Sequence, residues 1–146
     1  MFQHQLLKFF SYLNLKLNNL IYKIVKYSID LMKILIIGGA GYIGTKLCNY
    51  LVSKNYKITC LDNFWFGDFL HKKVLKIKAD IRYYNFNKLS KFDAVIDLAY
   101  LSNDPLCELD ARHTWESGPL AVYKILDYCV KKKIKKFLFA SSGSIY

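Results

Sequence analysis

The chain has 146 residues, 53% of them hydrophobic, which fits one globular domain with a real core and excludes an intrinsically disordered protein. Its formal net charge is +11, but only two of the 22 basic residues are arginines, so a solvated lysine-rich surface is favoured over a nucleic-acid partner. The four cysteines show no Cys-x-x-Cys spacing and no His/Cys cluster, which predicts no zinc site and no disulfide framework but reduced thiols in a cytoplasmic protein.

Residues 1–31 differ from the rest of the chain. They have no acidic residue before Asp30, and their apolar residues recur at close to helical spacing between lysines. No uncharged run approaches the ~18 residues of a membrane span. The segment could be a basic amphipathic helix on a membrane surface, a cover for the sheet or a partner, or an extension outside the fold. We favour the last interpretation, with Met32 as the functional start and residues 32–146 as the domain.

The first element of that domain is the apolar run Ile34–Ile37, which predicts a strand. It is followed at once by Gly38, Gly41 and Gly44, and a helical pattern covers Tyr42–Ser53. A strand that breaks into glycines and continues as a helix is typical of a diphosphate site. The first glycine permits a tight turn, the second lets backbone N–H groups approach the phosphates, and the third lets the helix pack closely. The helix N-terminus then directs its partial positive charge at the anion.

A second strand is predicted over Lys57–Leu61, and Asp62 follows it. The spacing of about 20 residues from the glycines to this acid is the one expected for a carboxylate that binds the adenosine ribose. A solvent-exposed turn acid is the alternative. Because a carboxylate repels a 2′-phosphate and no arginine lies close in the sequence, the pattern favours NAD over NADP.

The remaining elements continue the alternation of strands and helices. Strands are predicted at Val74–Ile77, Ala94–Leu98 and Phe137–Ala140, a turn or short helix at Tyr84–Ser90, and a long helix over Thr114–Lys132. This order predicts an α/β, Rossmann-type doubly wound parallel sheet of five strands in the order 3-2-1-4-5. The ligand crevice is expected at the carboxyl ends of strands 1 and 4, where the strand order reverses.

Taken together, residues 32–146 resemble the NAD-dependent epimerases and dehydratases of the extended short-chain dehydrogenase/reductase family, which act on nucleotide sugars. Five segments carry this resemblance in order: Gly38-x-x-Gly41-x-x-Gly44, Leu61-Asp62-Asn63, Ala79-Asp80-Ile81-Arg82, Val95-Ile96-Asp97-Leu98-Ala99 and Phe139-Ala140-Ser141-Ser142-Gly143-Ser144-Ile145-Tyr146. The resemblance implies NAD as cofactor, a hydride transfer from a sugar carbon in the complete protein, and Ser142 at the position of the catalytic Ser/Thr. The cofactor contacts that it implies are Gly38, Gly41, Tyr42, Ile43, Gly44, Asp62, Asn63, Asp80, Ile81, Leu98 and Ala99.

Three departures from the family pattern bear on activity. Glu116-Ser117-Gly118-Pro119-Leu120-Ala121 stands where the family has Asn-Val-x-Gly-Thr, and Tyr100 follows Ala99 where a second small residue is usual. The family's Tyr-x-x-x-Lys pair, which supplies the acid/base, is expected beyond the Ser142 strand and does not occur there. The sequence therefore predicts an incomplete, truncated Rossmann domain that is inactive alone. A non-catalytic dinucleotide-binding or scaffold module is the alternative.

Overall fold

The computed structural model of the chain describes Lys16, residues 31–101 and residues 104–141, with the backbone alone at 104–106. The chain divides into two units, Met1–Leu31 and Met32–Tyr146. Within the first unit Lys16 is helical and exposed, and the helix predicted around it otherwise lies outside the described residues. Among the residues that the structure describes, no helix combines the length and apolar character that a membrane span requires.

The second unit is a five-stranded parallel sheet with helices on its faces. Its strands are β1 (Lys33–Ile37), β2 (Lys57–Asp62), β3 (Leu75–Lys78), β4 (Ala94–Asp97) and β5 (Lys136–Phe139). Its helices are α1 (Tyr42–Ser53), α2 (Asp104–Leu109), α3 (Ala111–Trp115) and α4 (Ala121–Lys131), with a 3-10 turn at Phe86–Lys88 and a π-helical segment at Glu116–Leu120. The strand order β3-β2-β1-β4-β5 confirms the predicted Rossmann topology.

The core lies on both faces of β1, which is the central strand. Ile37 pairs with Leu61 of β2 on one side and with Asp97 of β4 on the other. Alternate residues of β1 face opposite ways, so Leu35 and Ile37 join the cluster that includes α4, whereas Ile34 and Ile36 join the cluster that includes α1. Burial on both faces explains why β1 reads as a continuous apolar run and not as an alternating one.

The strand and α1 predictions agree with the structure to within a residue or two, but the prediction of one helix over Thr114–Lys132 is wrong in form. The helical region begins earlier, with α2 and α3, and it is interrupted by the π-helical segment before α4. Pro119 lies inside that segment and has no N–H to donate to the carbonyl four residues back. The regular hydrogen-bond ladder therefore cannot continue there, and the wider π turn accommodates the break.

Candidate functional site

The turn after β1 is pressed against the ends of both neighbouring strands. Gly38 has a φ of +75°, and its N–H donates to the carbonyl of Leu61 over 2.9 Å. A Cβ built on Gly38 would lie 2.7 Å from the backbone nitrogen of Ala99. Both the left-handed backbone and the lack of space require glycine at this position. The turn therefore lies at the carboxyl edge of β1, between β2 and β4, which is where the strand order reverses.

Helix α1 packs directly on this turn. A Cβ on Gly44 would lie 2.4 Å from the carbonyl oxygen of Gly38 and 2.7 Å from the Cα of Gly39. Beneath the turn lie the fully buried thiols of Cys48 and Cys60. The hydrogen bond with Cys48, together with burial, raises the pKa of the Cys60 thiol, so that thiol stays protonated. The turn is thus held rigidly between the helix above it and the core below it.

Gly41 differs from the other two glycines of the motif. It is the N-cap of α1, with an extended backbone at φ −71° and ψ 179° that any residue can adopt. A Cβ at this position would meet a single neighbour, the Gly38 carbonyl oxygen at 3.4 Å, which is at the limit of ordinary van der Waals contact. Neither backbone conformation nor internal packing therefore explains a glycine here. What the glycine does provide is a bare backbone that a molecule outside the protein can approach.

The N-terminus of α1 is open toward the same space. No side chain caps it, and its first turn carries no acidic residue. The first N–H groups of a helix have no partner within the helix, and they carry the positive end of its dipole. Tyr42 and Ile43, in this first turn, are 81% and 68% exposed. The Lys46 ammonium lies 3.4 Å from the Tyr42 hydroxyl and adds positive charge. The arrangement fits an anionic group.

Asp62 ties the end of β2 to the glycine turn. One carboxylate oxygen accepts a hydrogen bond from the N–H of Ala40 over 2.9 Å, and the other accepts from the N–H of Phe64 over 2.8 Å. The side chain is half-buried, so part of the carboxylate remains accessible. The neighbouring Asn63 accepts from the N–H of Trp65 and shapes the following loop. The predicted ribose acid therefore lies beside the predicted phosphate turn.

Asp80, predicted to lie beside adenine, is engaged within the protein. Its carboxylate accepts from the Arg82 guanidinium over 2.6 Å and 3.0 Å, and also from the N–H of Arg82. The Arg82 hydrogen bonds hold the pKa of Asp80 below its usual value. The side chain of Ile81 is buried in the core, so only its backbone could face a ligand. Asp80 also begins the next turn, because its carbonyl accepts from the N–H groups of Tyr83 and Tyr84.

Arg82 belongs to a cluster that joins three loops at the carboxyl edge of the sheet. Its guanidinium lies 3.2 Å from Nδ1 of His113 on α3 and 3.9 Å from the Glu116 carboxylate. The His113 ring lies 5.8 Å, centroid to centroid, from the ring of Trp65 in the loop after β2. Arg82 belongs to one of the five segments that carry the family resemblance, but nothing in the sequence indicates that His113 lies near it. Their separation by 31 positions in the chain hides a proximity that only the topology creates.

The end of β4 forms the other side of the turn. Leu98 donates its N–H to the carbonyl of Ile37, and Ala99 lies against Gly38. Tyr100 follows, 41% exposed, with its ring against Gly118 of the π-helical segment. A Cβ on Gly118 would lie 2.3 Å from Cε2 of that ring. The two departures from the family pattern therefore form one contact, because the bulk added at position 100 occupies space that the missing side chain leaves at position 118.

Asp97 is a buried acid that the sequence analysis did not select. Its side chain is 1% exposed at the end of β4, between β1 and β5. One oxygen accepts from the N–H of Ala99 over 3.1 Å, and the other has no hydrogen-bond partner among the described residues. Burial raises the pKa of Asp97 to about 6. In the sequence, Asp97 is an acidic residue within a run of strand length, and nothing in that pattern indicates that its side chain is buried.

Two further expectations about the site concern Ser142 and metal ligands. Ser142, the predicted position of the catalytic Ser/Thr, lies outside the described residues. Within the described parts of the chain, no group of three or more His, Cys, Asp or Glu side chains could hold a metal ion. The described site is thus made of the glycine turn, the start of α1, the ends of β2 and β4, and the Arg82 cluster.

Comparison with known proteins assigns the chain to a family. The profile of the NAD dependent epimerase/dehydratase family matches residues 34–146. The bifunctional polymyxin resistance protein ArnA of Wigglesworthia glossinidia brevipalpis is 34% identical over 147 aligned residues, covering 90% of this chain and 21% of that protein.

Two solved structures agree with this result. The UDP-N-acetylglucosamine 4-epimerase of Methanobrevibacter ruminantium M1, in complex with UDP-N-acetylmuramic acid, is 28% identical with a TM-score of 0.72, covering 79% of this chain and 39% of that one. The UDP-glucose 4-epimerase of Thermus thermophilus, in complex with NAD, is 25% identical with a TM-score of 0.69, covering 77% of this chain and 38% of that one. The chain thus spans between about a fifth and two fifths of these relatives. The chain belongs to the NAD dependent epimerase/dehydratase family.

Proposed function

We propose that this chain binds NAD in the crevice above the glycine turn. The observation that carries the proposal is Gly41, a glycine that neither its backbone conformation nor its neighbours require, at the uncapped N-terminus of α1. Open backbone and the positive end of a helix dipole together suit a diphosphate. The residues present fit the group, since a Cβ at Gly38 or Gly44 would clash with Ala99 or with the turn itself and so disrupt its shape, while Gly41 leaves the backbone open on the outside. The NAD named in the complex of the Thermus relative supports the same assignment.

The dinucleotide would lie across the carboxyl edge of the sheet. The N–H groups at Tyr42 and Ile43 would hold the diphosphate, beside Gly41, whose own N–H donates to the Gly38 carbonyl over 3.3 Å. Asp62 would accept hydrogen bonds from the adenosine ribose. The adenosine half would then extend over β2 and β3, and the nicotinamide half over Leu98 and Ala99 at the end of β4. When bound, NAD supplies a reversible hydride acceptor.

We propose that the larger protein acts on a nucleotide sugar, with Ser142 near the reacting hydroxyl. UDP-sugars in the names of the solved relatives support this class of substrate. The 146-residue chain alone is expected to bind NAD without turning over a sugar, because no Tyr-x-x-x-Lys pair follows Ser142 among its residues. Residues 32–146 would carry the binding and residues 1–31 would lie outside it, in a cytoplasmic protein.

A non-catalytic dinucleotide-binding module is the second candidate. The observation that favours it is the contact of Tyr100 with Gly118, because a large ring stands where the family resemblance leads us to expect small residues. The two candidates differ in turnover when the segment that follows the matched region in a relative is fused after Tyr146 of this chain. Reduction of NAD by a UDP-sugar in that fusion would support the enzymatic origin, and NAD binding without reduction would support the module.

Calorimetric titration with NAD and with NADP tests the proposal. The chain should bind NAD more tightly than NADP, because the Asp62 carboxylate repels a 2′-phosphate. Asp62→Asn should shift this preference toward NADP, which a purely structural role of Asp62 would not do. Asp68→Asn is the matched control, since Asp68 lies in the loop that follows Asp62 and pairs with Lys76 of β3. Equal binding of both dinucleotides by the wild type and by Asp62→Asn would argue against the ribose role.

A further inference from the structure

The loop after β2 presents an aromatic ring that the fold leaves more than half exposed. Trp65 is 58% exposed, although it lies only three residues after Asp62. The same loop also exposes Phe66 and Phe69, and a group of exposed aromatic side chains marks a surface that binds a partner. We propose that the indole of Trp65 stacks on the adenine of the bound dinucleotide, an inference that rests on the proposed function.

The position of the ring follows from the topology. If the diphosphate lies at the turn after β1 and the ribose at Asp62, the base must lie farther in the same direction, toward the carboxyl ends of β2 and β3. β2 pairs with both β1 and β3, so its following loop stands between the ribose position and the turn that holds Asp80. Trp65 is in that loop. A planar purine that extends from Asp62 toward β3 would pass this loop.

The ring is also held in place, which a stacking surface requires. His113 lies against Trp65 at a centroid distance of 5.8 Å with the two planes tilted by 56°. His113 is itself fixed through Nδ1, 3.2 Å from Nη1 of Arg82. Because a guanidinium can only donate, Nδ1 must be the acceptor. Arg82 is anchored in turn by Asp80. The chain of contacts from Asp80 to Trp65 thus fixes the position of the indole.

The chemistry identifies the ligand group. Indole has the largest π-face of the natural side chains, and stacking of a base on an aromatic ring is worth about 1–3 kcal/mol in alanine substitutions. The indole carries one N–H donor and no acceptor, whereas its face is its largest surface, so stacking is the main interaction that we expect with the base. The adenine half, rather than the nicotinamide half, should therefore depend on this residue.

Calorimetric titrations of the full chain with NAD and with AMP test this inference. Trp65→Ala should weaken the binding of both ligands by the same factor, about tenfold. Trp65→Phe should lose less affinity because an aromatic face remains. Trp115→Phe is the matched control, because the only other tryptophan of the chain is 59% exposed on α3. Its affinities should equal those of the wild type.

Fluorescence provides an independent readout. In Trp115→Phe the emission comes from Trp65 alone, and AMP should quench it, whereas in Trp65→Phe the emission of Trp115 should stay unchanged on adding AMP. Tight NAD binding that Trp65→Ala leaves unaltered, without quenching of Trp65, would overturn the stacking role while leaving the proposed function intact. A wild-type chain that binds neither NAD nor AMP would overturn both.

Discussion

Each of the three glycines of the turn is present for a different physical reason, and single substitutions distinguish these reasons. At Gly44 an alanine Cβ would lie 2.4 Å from the Gly38 carbonyl oxygen, so α1 must move away from the turn. We expect Gly44→Ala to lower the free energy of unfolding by roughly 1–3 kcal/mol. Gly41→Ala should leave it within about 0.5 kcal/mol, because a Cβ there meets almost no protein.

Urea denaturation of the two variants beside the wild type measures this difference. Both substitutions add the same methyl group, so a difference between the two free energies of unfolding comes from the surroundings of that group. Equal destabilisation by the two variants would mean that the helix and the turn can separate without cost, contrary to the packing described.

Asp97 should make stability depend on pH. The folded-state pKa of about 6 lies above the ordinary aspartate value of 3.8, so the folded protein holds the proton more tightly than the unfolded chain. Ionisation of the buried carboxyl therefore costs stability above pH 6, by about 3 kcal/mol at 1.36 kcal/mol per pKa unit. The cost disappears as the pH falls from about 6 toward 3.8.

Asp97→Asn removes this charge while it keeps an oxygen for the N–H of Ala99. The variant should be more stable than the wild type at pH 8, and the difference should shrink steadily between pH 6 and pH 4 in urea denaturation curves. A difference that does not change with pH would show that Asp97 is not the titrating group.

At the scale of elements, the π-helical segment and the loop after β4 depend on each other. Gly118→Ala would place a Cβ 2.3 Å from the Tyr100 ring. In the wild-type background we expect this substitution to destabilise the protein by about 1–2 kcal/mol. With Tyr100→Ala already present, the same substitution should become neutral or stabilising by up to about 1 kcal/mol, because alanine is the better helix former.

A double-mutant cycle from thermal or urea denaturation measures this coupling. The opposite sign of the Gly118→Ala effect in the two backgrounds is the expected result. Additive effects would mean that the ring and the helix do not share the space between them.

The strands and α1 were predictable from the sequence because local pattern decides them. After the exposed Lys33, β1 is apolar because helices cover both of its faces, and the glycines end it. The interruption before α4 was not predictable in the same way. Pro119 signals a break, but whether a helix ends, kinks or widens at a proline depends on the packing around it, here Tyr100 against Gly118.

The site was predictable where its residues follow strand ends, but the side-chain contacts between its loops were not predictable. Gly38 and Asp62 follow strand ends, and strand order then brings them to one edge. Trp65, Arg82 and His113 come from three different connections, and nothing in the sequence indicates that the three side chains meet. Side-chain contacts between loops depend on how each loop is folded, and local pattern does not determine that.

For the whole molecule, binding at the carboxyl edge should stabilise the entire second unit. The glycine turn, β2 and β4 are joined by backbone hydrogen bonds and by packing, so NAD that contacts them binds the folded state alone. At a free NAD concentration 100 times the dissociation constant, the free energy of unfolding should rise by about 2.7 kcal/mol. Urea denaturation with and without NAD measures the rise, and no shift would exclude binding to the folded chain.

The most direct measurement is a calorimetric titration of NAD into the wild-type chain and into Gly41→Ala. The wild type should bind, and Gly41→Ala should bind at least about tenfold more weakly while it unfolds at the same urea concentration, because its methyl group occupies the approach to the phosphates. Equal NAD affinity in the two folded proteins would contradict the placement of the diphosphate at this turn.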